Sequence, residues 1–257
     1  MATHYSEELA PDVMDRMQAV KAIHAADGYA DRREELAAYF DSTARQAWID
    51  LTSDTKVSGI RATVRAGRDT MRATLLDWLP VDLRRVRVLD AGCGTGALTL
   101  AAAYRGAEIT GIDVAGGLVE VARERCPSFT GHGRIFWKSG DMLDPKLGEF
   151  DHVVAMDSLI HYELSDLVDA LAKLTTRTRG SIVFTFAPYT RMLGAMHKFG
   201  KVFPKSDSSP AIVPIAESDL RMHIAEAISG WDVKRTQLVS SGFYKSQAME
   251  LVKRGTA

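Results

Sequence analysis

Val88-Leu89-Asp90-Ala91-Gly92-Cys93-Gly94-Thr95-Gly96 is the stretch on which the reading of the fold turns. An apolar run enters three glycines at spacing two, and a helical pattern leaves them. Glycine lets a backbone turn sharply and approach a ligand closely, and the helix N-terminus that follows offers free N–H groups. Downstream the texture repeats. RVRVLD (85–90), AEITGID (107–113), RIFWKSGD (134–141), FDHVVAMD (150–157) and GSIVFTFAP (180–188) each end in an acid or a proline. Between them, 95–104, 116–125 and 163–175 are long enough for helices. Such alternation predicts right-handed βαβ units and a parallel sheet covered on both faces. A helix over 217–229, then two strands about a Ser-Gly turn within 233–252, predict a doubly wound sheet ending in an antiparallel pair.

Residues 1–79 hold no convincing strand and read as a helical N-terminal arm, leaving 80–257 as the α/β core. Val57, Ile60, Val64, Met71 and Leu75 fall on one face of a helix over 55–79, which Pro80 closes. Arg61, Arg65, Arg68 and Arg72 line another face. That face reads first as a solvated basic surface, and second as cations for an anionic ligand. The stretch 188–216, with Pro188, Pro204, Pro210 and Pro214, interrupts the alternation and reads as an inserted lid.

The 257 residues are 46% hydrophobic and 25% charged, proportions that speak against disorder, collagen-like repeats and coiled coil. Two cysteines cannot build a disulfide framework, so a reducing, cytoplasmic setting is expected. MATHYSEELAPDVMDR lacks the basic start and apolar core of a signal peptide, and no apolar run approaches the roughly 18 residues of a membrane span. A net charge of −1 argues against bulk nucleic-acid binding. Yet the neutrality is a sum of opposites. Residues 139–170 carry eight acids against Lys146 alone, whereas 188–206 carry Arg191, Lys198, Lys201 and Lys205 with no acid. An acidic cofactor side and a basic lid favour an anionic substrate.

Ala97 makes the glycine loop match the NAD pattern G-x-G-x-x-A as well, so the loop alone does not choose a nucleotide. Three details favour S-adenosylmethionine. Asp90 places a carboxylate where a dinucleotide site keeps an apolar side chain; a cationic amino acid head has a use for it, and a pyrophosphate does not. Asp113, at the end of the second strand, can accept both ribose hydroxyls. Gly140-Asp141-Met142 ends the third strand, where a carboxylate can take the adenine amino group and a backbone N–H its ring nitrogen.

These motifs, in this order and spacing, resemble the class I S-adenosylmethionine-dependent methyltransferases over residues 85–187. The resemblance implies a mostly parallel, seven-stranded, Rossmann-like sheet with one antiparallel strand. It also implies that Asp90, Gly92, Gly94, Asp113, Val114, Asp141, Met142 and Asp157 line the cofactor; Cys93 sits among them as a small packing residue. Asp157-Ser158-Leu159-Ile160-His161-Tyr162, after the fourth strand, would face the methyl group. There His161 reads as a general base, as a hydrogen-bond donor to the acceptor atom, or as a satisfied half-buried histidine.

The lid segment PYTRMLGAMHKFGKVFP (188–204) suits a large flat apolar ligand with anionic edges. Arg191, Met192, Met196, Lys198 and Phe199 are its candidate contacts, although on these features alone the acceptor stays unknown. Three groups of residues go further. Tyr39-Phe40-Asp41-Ser42-Thr43-Ala44, Met156-Asp157-Ser158-Leu159-Ile160-His161-Tyr162, and Phe203-Pro204 and Ser209-Pro210 with Ser241-Gly242-Phe243-Tyr244 resemble the magnesium-protoporphyrin IX methyltransferases. That likeness runs from about residue 36 to 252. It implies methyl transfer to one propionate of magnesium protoporphyrin IX, with Tyr39 and His161 near the reacting centre. It also implies the large porphyrin-binding subunit of magnesium chelatase as a partner, and peripheral contact with photosynthetic membranes. The bland reading of Tyr39 is an amphipathic-helix tyrosine packed on Phe40 or Trp48. Rival functions are another class I O-methyltransferase acting on a small acid, phenol or quinone precursor, and a non-catalytic porphyrin or cofactor carrier. No Cys/His cluster suggests a protein-bound metal; the magnesium would arrive in the substrate.

Overall fold

A computed structural model describes residues 28–42, 45–52, 59–128, 130–189 and 212–255. The glycine loop does what its spacing predicts. Strand β1 (Arg87–Ala91) runs into it and helix α4 (Ala97–Tyr104) leaves it. Three helices precede them: α1 (28–41), α2 (Arg45–Leu51) and α3 (Ile60–Asp77). After them come β2 (Glu108–Asp113), α5 (Gly116–Arg125), β3 (Arg134–Ser139), β4 (Phe150–Ala155), α6 (Leu164–Thr175) and β5 (Thr178–Pro188). The short β6 (Pro214–Ile215), α7 (Glu217–Ala227), β7 (Trp231–Ser241) and β8 (Tyr244–Lys253) complete the described chain.

The sheet order is β3-β2-β1-β4-β5-β8-β7, with β6 paired to the end of β5. β8 lies antiparallel to both its neighbours, and the pairs from β3 to β5 are parallel. The mostly parallel expectation therefore holds, with seven strands on this path and the two-residue β6 as an eighth. Successive strand residues go to opposite sides: Leu89, Val153 and Ile182 join a core with α6 and α7, while Val88, Val154 and Val183 join one with α3 and α4. Burial on both faces is why these strands read as continuous apolar runs rather than alternating ones.

Two boundaries differ from the sequence reading. The described helix α3 begins at Ile60, because Gly59 sits at φ 58 and ψ −129, outside the helical region; residues 55–58 of the expected helix, Val57 among them, lie outside the described residues. The hairpin turns on Gly242-Phe243, with Ser241 paired to Tyr244, and Gly242 at φ 56 supplies the left-handed position.

The arm is tied to the core by side chains. Asp41, at the end of α1, accepts the N–H groups of Gly116 (3.2 Å) and Gly117 (2.7 Å), capping α5 from outside its own chain segment. Tyr29 and Arg33 donate to Asp141 at 2.9 and 2.7 Å. Arg125 donates to the Ile49 carbonyl and to Thr52, which fixes α2. The interior of the lid falls outside the described residues, but its two ends are placed. Tyr189 N–H donates to the Ile215 carbonyl, and Val213 N–H to the carbonyl of Ile160. The chain thus returns from the insertion onto the turn that carries His161.

Helix α3 lies so close to β8 that a Cβ on Gly67 would stand 2.4 Å from the Tyr244 ring. Alanine in a helix interior is favoured over glycine by about 1 kcal/mol. Overpacking a fitted contact costs about 1–3 kcal/mol, and here the ring has nowhere to go without leaving Asp157. Gly67→Ala should therefore lower the thermal unfolding midpoint by several degrees despite its better helix propensity, as read by calorimetry.

Candidate active site

Carboxyl ends of β1, β2 and β4 open into a cavity of about 460 Å³, walled by α1, α2 and α3. That volume lies in the range of about 300–1,000 Å³ common to small-molecule sites. Its floor is the glycine loop. Gly92, at φ 87, has no room for a side chain: a Cβ there would stand 2.2 Å from Ser158 Cβ, whose hydroxyl donates to the Ala91 carbonyl. Gly94, at φ 50, faces open space, so the backbone there is bare to a ligand.

One end of the cavity is acidic. Asp90 is 1% exposed and accepts the Thr99 hydroxyl; no described cation pairs with it. Burial pushes its pKa up to about 7. Asp113 accepts the N–H groups of Gly94 (2.8 Å) and Ala115 (2.9 Å). Burial raises it too, against the pull of those donors. A dry carboxylate met only by the hydroxyl and backbone of Thr99 among the described residues is suited to an incoming ammonium, so the residues present fit the cationic head of S-adenosylmethionine.

The part of the wall that α3 supplies is basic. Arg65, Arg68 and Arg72 of α3 all line the cavity, which corrects the preference for a solvated face. Arg65 donates to the carbonyls of Asp50 and Leu51, holding α2 in place. Arg68 lies over the Trp48 ring at 4.7 Å and pairs with Asp157 at 2.6 Å. Arg72 pairs with Asp69 at 2.7 Å.

Asp157 touches Arg68 and precedes Ser158, which packs on the glycine loop. It is a non-glycine residue at φ 55, a backbone conformation that costs roughly 1–2 kcal/mol. Its carboxylate accepts Arg68, the hydroxyls of Tyr244 and Ser246 (each 3.1 Å) and that of Thr185 (3.2 Å). Its own N–H donates to Thr185 at 2.7 Å. These bonds over-determine the turn and carry the strain.

Four residues further on, His161 is buried on the cavity wall with the Phe40 ring edge-on at 6.0 Å. Phe40 also stacks on Trp48 at 5.8 Å and meets the Tyr39 ring at 5.1 Å. Tyr39 meets the Phe40 ring and is not among the residues that line the cavity.

Asp90, Gly92, Cys93, Gly94, Asp113, Val114, Met142, Asp157 and His161 are brought together around one cavity. Asp141 is not in its lining; its carboxylate is turned to Tyr29, Arg33 and the Leu143 N–H. Arg191, Met192, Met196, Lys198 and Phe199 lie outside the described residues. Tyr29 has no place in the sequence reading, and Phe40, Trp48 and Tyr162 enter it only within motifs or as packing partners; all four wall the cavity from the arm and the His161 turn. A usable signal existed for two of them, since Phe40 and Trp48 fall in DRREELAAYFDSTARQAWID (31–50), a charged then amphipathic run within the helical arm. Asp41 stood inside a quoted motif, but nothing local tells that it caps a distant helix.

Two family models match. One described as magnesium-protoporphyrin IX methyltransferase C-terminus covers residues 155–253, and a methyltransferase domain model covers 88–179. The magnesium-protoporphyrin O-methyltransferase of Rhodobacter capsulatus is 46% identical over 86% of this chain and 97% of its own. The Synechocystis enzyme of that name is 30% identical over 84% and 94%. A crystal structure of magnesium protoporphyrin IX methyltransferase from Synechocystis with bound SAH superposes with a TM-score of 0.74 at 27% identity, covering 85% of this chain and 98% of that one.

Asp90 ionises near pH 4 in an unfolded chain and near 7 in the unliganded fold. Its raised pKa means that stability is lost as pH climbs from about 4 to 7 and stays lost above that. Asp90→Asn should then raise the melting temperature of the unliganded protein at pH 8, with little change at pH 4. Donor binding needs the ionised form. The wild-type Kd for S-adenosylmethionine should rise as pH falls below 7, while the Asn variant binds at least ~100-fold more weakly with no such slope, by calorimetry.

Proposed function

Because this chain belongs to the magnesium-protoporphyrin IX O-methyltransferase family, we propose that it moves a methyl group from S-adenosylmethionine to a propionate carboxylate of magnesium protoporphyrin IX, yielding the monomethyl ester. The observation that carries this is a single cavity. It joins a buried, cation-seeking Asp90 to the His161 turn, and that turn lies within the residues matched by the family model.

The donor supplies the methyl group on a cationic sulfur. A propionate, with a pKa near 4.3, is already ionised at neutral pH and needs no strong base. The protein's work is then to orient an oxygen at about 3–3.5 Å and to keep water out. His161 donates a hydrogen bond to the acceptor carboxylate and selects the attacking oxygen. Phe40 and Trp48 cover the site from the arm, and Asp157 holds the turn that presents His161. Tyr39 joins the reacting centre only if the Tyr39-Phe40 end of α1 rotates inward, so its role is one of closure. Asp113 and Val114 take the ribose side, and Gly140-Asp141-Met142 the adenine side, with Asp141 tying that loop to the arm through Tyr29 and Arg33.

The lid residues Arg191, Met192, Met196, Lys198 and Phe199 face the macrocycle in this reading. The large porphyrin-binding subunit of magnesium chelatase is the proposed source of the substrate, and peripheral contact with a photosynthetic membrane belongs to the same proposal. No helix among the described residues is long and apolar enough to cross a membrane.

Incubation with methyl-labelled S-adenosylmethionine and magnesium protoporphyrin IX should give a labelled, alkali-sensitive ester. Protoporphyrin without magnesium, and phenolic acceptors, should give far less. Binding of both ligands without ester would identify a carrier instead. His161→Ala should lower kcat/KM by about 100-fold, in the range of a lost transition-state hydrogen bond, and Tyr39→Phe by about tenfold. With the donor saturating, kcat should stay flat from pH 6 to 9; a bell or a rise would show base catalysis at His161 and count against orientation alone.

A further inference from the structure

The basic wall of the cavity is not uniformly occupied. Arg65 spends its guanidinium on two backbone carbonyls, and Arg68 spends its own on Asp157 and the Trp48 face. Arg72 stands one helical turn beyond Arg68 and lines the same cavity. Its described partner is Asp69, three residues back on the same helix, which is about half exposed. Exposed pairs of this kind contribute little to stability, because water and salt screen them. Such a pair holds a planar, always-charged donor fork in place at the cavity wall while remaining easy to exchange.

We propose that Arg72 and Asp69 form an exchangeable carboxylate subsite, in which an incoming carboxylate displaces Asp69 from the Arg72 guanidinium. The assignment rests on the methyl-transfer reading above. Two carboxylates in that reaction have the right chemistry: the α-carboxylate of the donor and the propionate of the acceptor that is not methylated. Charge balance favours the acceptor. The donor is net cationic, and its head is already met in that reading by Asp90 beside the glycine loop. A protoporphyrin enters as a dianion with both propionates on one edge. The oxygen to be methylated lies by His161, on the turn that begins at Asp157, and Arg68 binds Asp157 directly. The next cation along α3 is Arg72, about 5–6 Å further by Cβ spacing. A second propionate seated there fixes the macrocycle about its edge and lets only one carboxylate reach the methyl group.

Two variants with opposite expected signs test this. Arg72→Met keeps an apolar stem and removes the fork; Asp69→Asn removes the competing carboxylate. Binding is read separately from turnover, by fluorescence quenching for magnesium protoporphyrin IX and its dimethyl ester, and by calorimetry for S-adenosylhomocysteine. Arg72→Met should weaken the free-acid porphyrin by about tenfold or more, leave the dimethyl ester and S-adenosylhomocysteine within about twofold, and raise KM for the porphyrin more than it lowers kcat. Asp69→Asn should tighten the free acid by about twofold. Retained S-adenosylhomocysteine binding shows that the variants are folded. Unchanged porphyrin affinity in Arg72→Met would reduce the pair to a solvated surface contact. Weakened S-adenosylhomocysteine with unchanged porphyrin would give the subsite to the donor and overturn the assignment to the acceptor. If the wild type neither binds nor methylates the porphyrin, the functional reading falls with it; a wild type that forms the ester with an Arg72→Met variant of equal affinity sinks the subsite alone.

Discussion

One carboxylate, that of Asp157, holds together the elements that make the site. It lies at the carboxyl end of β4 in a left-handed backbone conformation, and it collects hydrogen bonds from α3, β5 and β8. Each of those elements is distant in sequence. Their convergence on two oxygens sets the position of the His161 turn, the approach of α3 to the sheet and the seat of Tyr244. Burial and the nearby carboxylate hold the Tyr244 phenol far above its ordinary pKa, so it remains a donor at any working pH. A buried acid with an arginine and three hydroxyls around it is fully satisfied; without them it would be an uncompensated charge at the base of the cavity.

From that point the cavity divides by charge. Asp90 and Asp113 stand at the glycine loop, where burial raises both, and the arginines of α3 line the same cavity. The unliganded protein therefore holds a buried acid without a described cation at the glycine loop and one weakly paired cation, Arg72, on α3. A cationic donor relieves the first, and an anionic acceptor uses the second. Inside a low-dielectric cavity both interactions gain strength relative to water, which makes the dry enclosure part of recognition as well as of reaction.

Much of the fold was legible because it rests on local rules. Apolar runs of strand length, glycines at a turn that admits no Cβ, and helical stretches of regular period led to the β1–α4 loop, the parallel sheet and the antiparallel end. The misreadings fall where local rules stop. Apolar spacing runs through Gly59 without a sign of the break there, where the backbone leaves the helical region. The arginine run was read as solvated because periodicity shows that four cations share a face, not what that face meets. Tyr39 stood beside Phe40 in one motif, and the choice of which ring reaches the cavity depends on how α1 docks.

The sequence by itself determined the order of strands and helices, the class of loop that ends β1, and the chemistry expected of Asp90, Asp113 and His161. Those depend on residue type and short-range spacing, which any part of the chain carries with it. Only the tertiary structure decided that Arg65, Arg68 and Arg72 wall the cavity, that Asp41 caps α5, that Asp141 is engaged by the arm, and that Phe40 rather than Tyr39 borders His161. The reason is physical. Spacing sets which side chains share a face of one element, but the partner of that face is chosen by burial and charge pairing between elements far apart in the chain.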